Sequence, residues 1–133
     1  MGIMGVDHVT INVVSMEESI YFYETVLGLI KLNSVDMGDH TLQYFKLNNY
    51  TMLELIQYHY ETAKESLPVD TKGIYRHLAL QVESIQEFYS ELCKTNANIT
   101  SPLGFCEKLS FYNILIKDPN GVEIELLERK VQD

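Results

Sequence analysis

Four residues in this chain of 133 have the types and the spacing to do chemistry together: His8, Glu54, His77 and Glu125. The histidines lie 69 positions apart and the acids 71, which reads as one His–Glu pair written twice. Imidazole nitrogens with carboxylate oxygens suit one divalent first-row ion, Ni, Co, Zn, Mn or Fe, better than copper(I) or an iron–sulfur cluster. Four ligands on an octahedral ion leave two positions open for water or for two adjacent substrate oxygens. The ion then acts as a Lewis acid on a carbonyl, and a displaced Glu becomes a base beside it. Taken singly, each residue has a plainer reading. A lone histidine on a strand is more often half-buried and satisfied, and a lone strand glutamate is usually solvated or ion-paired; Glu123 and Glu128 are read in that way. Equivalent placement in two copies is what favours the four-ligand set. His40, beside Asp39 at a turn, and His59, just past a strand end, have no such counterpart and read as surface residues.

The elements that must position the four follow from periodicity. Residues 6–13 (VDHVTINV) alternate, with Val9, Ile11 and Val13 on one face and His8, Thr10 and Asn12 on the other, the signature of a strand. Ser15-Met16-Glu17-Glu18 is a capping box that opens a helix, and Met16, Ile20, Tyr23 and Leu27 form its apolar stripe before Gly28 closes it. The same phrase returns in Arg76–Val82 (RHLALQV), with His77 in the place of His8. A second box, Ser84-Ile85-Gln86-Glu87, opens a helix with Ile85, Phe88, Tyr89 and Leu92 as its stripe, ending near Asn96.

Strands are expected after each helix: Ile30–Met37, Thr41–Leu47 and Thr51–Tyr58, then a short one beginning at Ile99-Thr100, Leu109–Lys117 and Val122–Glu128. Asp118-Pro119-Asn120-Gly121 makes a tight turn before the last of these. Ser101–Lys108 reads as a loop in which Lys108 is a surface lysine able to meet an anionic substrate. In MLELIQ, Glu54 sits among apolar neighbours, as Glu125 does in VEIELLE, and a carboxylate buried there needs a partner. The expected architecture is α+β: one domain over 1–133, made of two βαβββ modules at about 5–58 and 75–129. A connector over 59–74 joins them, with weak helical character at Glu61–Leu67 before Pro68 and Gly73.

Composition narrows the partners. With 46% hydrophobic and 22% charged residues the chain is neither disordered nor membrane-spanning. Ten Lys and Arg against nineteen Asp and Glu, a charge of −9, offer nothing to a phosphate backbone or an anionic lipid. The start MGIMGVDHV lacks a secretory pattern, and Cys93 and Cys106 form no CxxC, so a cytoplasmic location is the default expectation. Both cysteines read as core filler, and the 9 Tyr and 5 Phe as a large part of core volume.

Together, DHVTINVVSMEESIYFYETVLGL (Asp7–Leu29), MLELIQ (Met52–Gln57), RHLALQV (Arg76–Val82) and DPNGVEIELLE (Asp118–Glu128) resemble the vicinal oxygen chelate superfamily over nearly the whole chain. That superfamily contains glyoxalase I, methylmalonyl-CoA epimerase, extradiol dioxygenases and the fosfomycin- and bleomycin-resistance proteins. The resemblance implies paired modules whose mixed sheet curls around a metal-binding cleft. The order His, Glu, His, Glu is similar to bacterial glyoxalase I, with His8, Glu54, His77 and Glu125 as ligands to one divalent ion. Epimerases commonly carry an amide at the first acid, where Glu54 stands; extradiol dioxygenases use three ligands, and bleomycin-binding members typically lack them.

What the resemblance implies is a lyase, of the lactoylglutathione lyase type, for methylglyoxal detoxification. It would convert a 2-oxoaldehyde hemithioacetal to a 2-hydroxyacyl thioester through an enediolate, with Glu125 as the base and Glu54 assisting proton return. It also implies a homodimer acting on a small molecule. Asn12 stands where glutathione-using members often have an arginine, which leaves the thiol open. The alternatives are an acyl-CoA epimerase and a non-catalytic binder of a small aromatic or antibiotic molecule.

Overall fold

Alternating β-branched and polar residues place strand β1 at His8–Asn12, with Ile11 buried and its neighbours turned outward. The computed structural model describes residues 1–60 and 75–129. The chain divides into two compact units, Met1–Lys64 and Glu65–Asp133, which are described separately. The helical character expected at Glu61–Leu67, and Pro68 and Gly73 with it, lie outside the described residues.

In the first unit, Ser15 caps helix α1 (Met16–Ile20) by accepting from the Glu18 N–H. From Tyr21 to Val26 the helix widens to a π-helical turn, and the Leu27 N–H reaches back five residues to the Phe22 carbonyl. Widening rotates the inner face, so Ser19, Phe22, Tyr23 and Leu27 are buried, while Met16 and Ile20 of the expected stripe are only half-buried. Gly28, at φ +73, ends the segment in a left-handed conformation that suits glycine. Strands β2 (Ile30–Asp36), β3 (His40–Lys46) and β4 (Met52–Tyr58) follow. The sheet order is β1-β4-β3-β2, with β1 parallel to β4 and the other pairs antiparallel. Phe45, Leu53 and Leu55 fill the buried face with Ile11, Val13 and Tyr23, each large apolar side chain contributing about 1.5–3 kcal/mol by leaving water.

The second unit repeats the plan. Strand β5 (Leu78–Gln81) is followed by α2 (Ile85–Leu92), capped by Ser84 on the Glu87 N–H. Then come β6 (Asn98–Cys106), β7 (Phe111–Lys117) and β8 (Glu123–Glu128), in the order β5-β8-β7-β6. Each unit is therefore βαβββ, and the chain is α+β with two four-stranded mixed sheets.

Several expectations need correction. Ser101–Lys108 is not a loop throughout: its first six residues extend β6 to Cys106, because they find ladder partners on β7 as far as Phe111. A tight turn at 107–110, with Ser110 at φ 58, leaves Lys108 exposed. Helix α2 stops at Leu92 rather than near Asn96, where the Thr95 hydroxyl donates to the Leu92 carbonyl and accepts from the Ala97 N–H. Cys93 is exposed on the solvent side of the α2 terminus and Cys106 half-buried, so neither is core filler. Of the nine tyrosines only Tyr23 is buried, and the core is mainly aliphatic. Phenol oxygens demand hydrogen bonds that an apolar interior does not supply.

Candidate metal centre

The four residues proposed from spacing fall at corresponding places in the two sheets. In the first, His8 opens β1 and Glu54 lies in the middle of β4. The β1/β4 register sets Thr10 beside Glu54, which puts His8, Thr10 and Glu54 on one face. Glu54 is only 8% exposed. Its partners are hydroxyls: Thr10 Oγ1 donates to Oε1 at 3.0 Å and Tyr44 Oη to Oε2 at 2.5 Å. The same bond raises the Tyr44 phenol above its ordinary value, followed by desolvation and by the Glu54 charge, so the hydroxyl keeps its proton.

His8 is bonded through Nδ1 to Asp7 Oδ2 at 2.8 Å, which leaves Nε2 as the ring nitrogen available to an ion. That bond raises the His8 pKa first; desolvation opposes it, and the charges of Glu54 and Asp7 add to it.

In the second sheet His77 stands just before β5 and Glu125 within β8. His77 Nε2 faces Glu125 Oε1 at 3.4 Å. Glu125 Oε2 accepts from Asn113 Nδ2 at 2.8 Å. His77 Nδ1 is buried and has no hydrogen-bond partner among the described residues, so the polar contact of this ring is made toward the acid. Neighbouring acids take other roles. Glu123 pairs with Arg76, in line with its reading as ion-paired or solvated, whereas Glu128 accepts from the Ile85 N–H at the head of α2.

The structure thus brings His77 to Glu125 and sets His8 and Glu54 on one face of a sheet. Each unit presents one imidazole and one carboxylate. Among the described residues, no group of three or more His, Cys, Asp or Glu is placed to hold an ion. The donors fit a divalent first-row ion in type. His40, at the start of β3, and His59, just past β4, contact the turn between β2 and β3 instead. His40 bonds Asp39, and His59 bonds the Gly38 carbonyl and Thr41.

The sequence profile of the Glyoxalase/Bleomycin resistance protein/Dioxygenase superfamily matches residues 5–126. The chain belongs to this superfamily. Among its relatives, the lactoylglutathione lyase of Salmonella typhimurium is 28% identical over 125 residues, covering 92% of this chain and 91% of that protein. The lactoylglutathione lyase of Neisseria meningitidis serogroup A is 27% identical over 131 residues, covering 95% and 91%. Among solved structures, the trypanothione-dependent glyoxalase I of Leishmania major superposes with a TM-score of 0.74 at 26% identity, covering 93% of this chain and 86% of that one. These likenesses support a glyoxalase-like function for this superfamily member.

The residues that spacing missed are those that serve the four. Asp7 adjoins His8 in sequence, and Thr10 shares the polar face of β1, so both had a local signal. Tyr44 and Asn113 had none, because their nearness to the acids depends on strand register.

Proposed function

We propose that this protein is a metal-dependent lyase of the glyoxalase I type, which converts the hemithioacetal of a 2-oxoaldehyde and a thiol to a 2-hydroxyacyl thioester. The observation that carries the reading is the recurrence of one imidazole and one buried or half-buried carboxylate at matching places in two sheets of a superfamily member. Two further points support it: relatives named lactoylglutathione lyase match along nearly the full chain, and the order of the four residues resembles that of bacterial glyoxalase I. His8, Glu54, His77 and Glu125 would hold one divalent ion, Ni, Co, Zn, Mn or Fe. Such an ion, when bound, supplies Lewis-acid polarisation of two adjacent substrate oxygens.

The chain's own groups do the proton chemistry. Glu125 takes the proton from the carbon alpha to the carbonyl; its Oε2 is held by Asn113, and its Oε1 lies 3.4 Å from His77 Nε2. Glu54 assists return of a proton to the neighbouring carbon from its seat between Thr10 and Tyr44. Asp7 keeps His8 in the tautomer with a free Nε2.

The test is elemental analysis of the purified protein, followed by methylglyoxal turnover with glutathione and other low-molecular-weight thiols, with methylmalonyl-CoA as the competing substrate. The expected result is a bound divalent ion and thiol-dependent consumption of methylglyoxal. Glu125→Gln, which keeps size and shape, should lower turnover by at least ~10²-fold, the scale of a lost general base, with an unchanged far-UV spectrum. Normal turnover in that variant would refute its role, and epimerisation without methylglyoxal activity would move the protein to the rival chemistry.

A further inference from the structure

Each acid of the proposed ligand set has two residues directly opposite it in its sheet, one on the parallel first strand and one on the antiparallel third strand. For Glu54 they are Thr10 and Tyr44. For Glu125 they are Ala79 and Leu115. Thr10 and Ala79 lie 69 positions apart and Tyr44 and Leu115 71, the same spacings as the histidines and the acids, so these are the same two places in the repeat. The first copy fills both with hydroxyl donors and the second fills both with hydrocarbon.

The consequence is a difference in restraint. Glu54 receives one hydroxyl hydrogen on each oxygen, from two different strands, at 3.0 and 2.5 Å. Two bonds from opposite sides fix the plane of the carboxylate as well as its position. Among the described residues Glu125 accepts a single hydrogen bond, on Oε2 from Asn113, which is two residues along β7 from Leu115, and its Oε1 has only the longer 3.4 Å contact with His77 Nε2. A carboxylate held by one oxygen can swing about that bond. We infer that Tyr44 and Thr10 are positioning residues that hold Glu54 in one orientation as a metal ligand, whereas Leu115 and Ala79 in their places leave Glu125 less restrained. This rests on the ligand assignment proposed above. Partners that orient a ligand in this way typically govern ion affinity by 10–100-fold.

The experiment titrates the chelator-stripped, full-length protein with zinc alone, in competition with a chromophoric chelator, and measures turnover separately at saturating zinc. Tyr44→Phe and Thr10→Val remove one hydroxyl each with little change of shape, and each should weaken zinc binding by ~10–100-fold. Thr10→Ser, which restores the hydroxyl, should return affinity toward the native value, an effect that loss of packing alone would not produce. Asn113→Ala should act in the opposite sense, with its larger loss in turnover and its smaller one in zinc affinity. Native zinc affinity in both Tyr44→Phe and Thr10→Val would overturn the inference, as would a larger affinity loss in Asn113→Ala than in Tyr44→Phe. Glu54→Gln separates the two levels. If it binds zinc as the native protein does, the ligand assignment itself falls; if it loses zinc while the two hydroxyl variants keep it, only the positioning role falls.

Discussion

A carboxylate removed from water must be repaid in hydrogen bonds, and this chain does so with neutral donors at the two acids of the proposed site, a phenol and a threonine for Glu54 and an amide for Glu125. Neutral donors leave the negative charge available to a cation, which an arginine partner would have cancelled. The contrast is Glu123, two residues away, whose charge is taken by Arg76. At the surface the same physics gives a pH dependence. His40 Nδ1 bonds Asp39 Oδ1 at 2.5 Å, and that bond, with the nearby charges of His40 and His59, holds the Asp39 carboxyl below its ordinary 3.8. A folded value lower than the unfolded one stabilises above the unfolded value and is lost as pH falls through the folded one. Asp39→Asn should therefore lower the urea midpoint slightly at about pH 6 and match the native protein at about pH 2. An equal difference at both pH values would exclude this ion pair as its source.

At the scale of elements, duplication reaches the helix caps. Ser15 and Ser84 accept from Glu18 and Glu87 N–H, as the two sequence boxes require. Tertiary structure adds a second cap at each helix. Gln57 Oε1, at the end of β4, accepts from the Met16 N–H, and Glu128 Oε1, at the end of β8, accepts from the Ile85 N–H. Each fourth strand thereby ties down the start of the helix in its own unit. Replacing one cap leaves the other, so Ser84→Ala should cost about 1 kcal/mol in denaturant unfolding. The double variant Ser84→Ala, Glu128→Leu should cost more than either alone. Equal stability of Ser84→Ala and the native protein would show that Glu128 carries the whole cap.

For the molecule as a whole, the −9 charge disfavours polyanionic partners, and no helix among the described residues is long and apolar enough to cross a membrane. Each unit carries two of the four proposed ligands. A homodimer, which the superfamily resemblance implies, should sediment at twice the mass of one chain. Prolonged chelation should abolish turnover, and readdition of a divalent ion should restore it. Turnover that survives complete removal of metal would sink the metal-dependent reading.

The sequence by itself determined the local and the periodic features: strands from alternation, helices from stripes and capping boxes, the Asp118–Gly121 turn, and the four residues aligned by a repeat. These were legible because they depend on a few adjacent residues or on a parity that repeats every second position. Only the tertiary structure decided which side chains meet across strands: Tyr44 with Glu54, Asn113 with Glu125, Gln57 with the head of α1, and the reach of β6 to Cys106. Those meetings follow from strand register, which is fixed by the ladder and by the burial of a whole face, and a slip of one residue would turn every side chain to the other side.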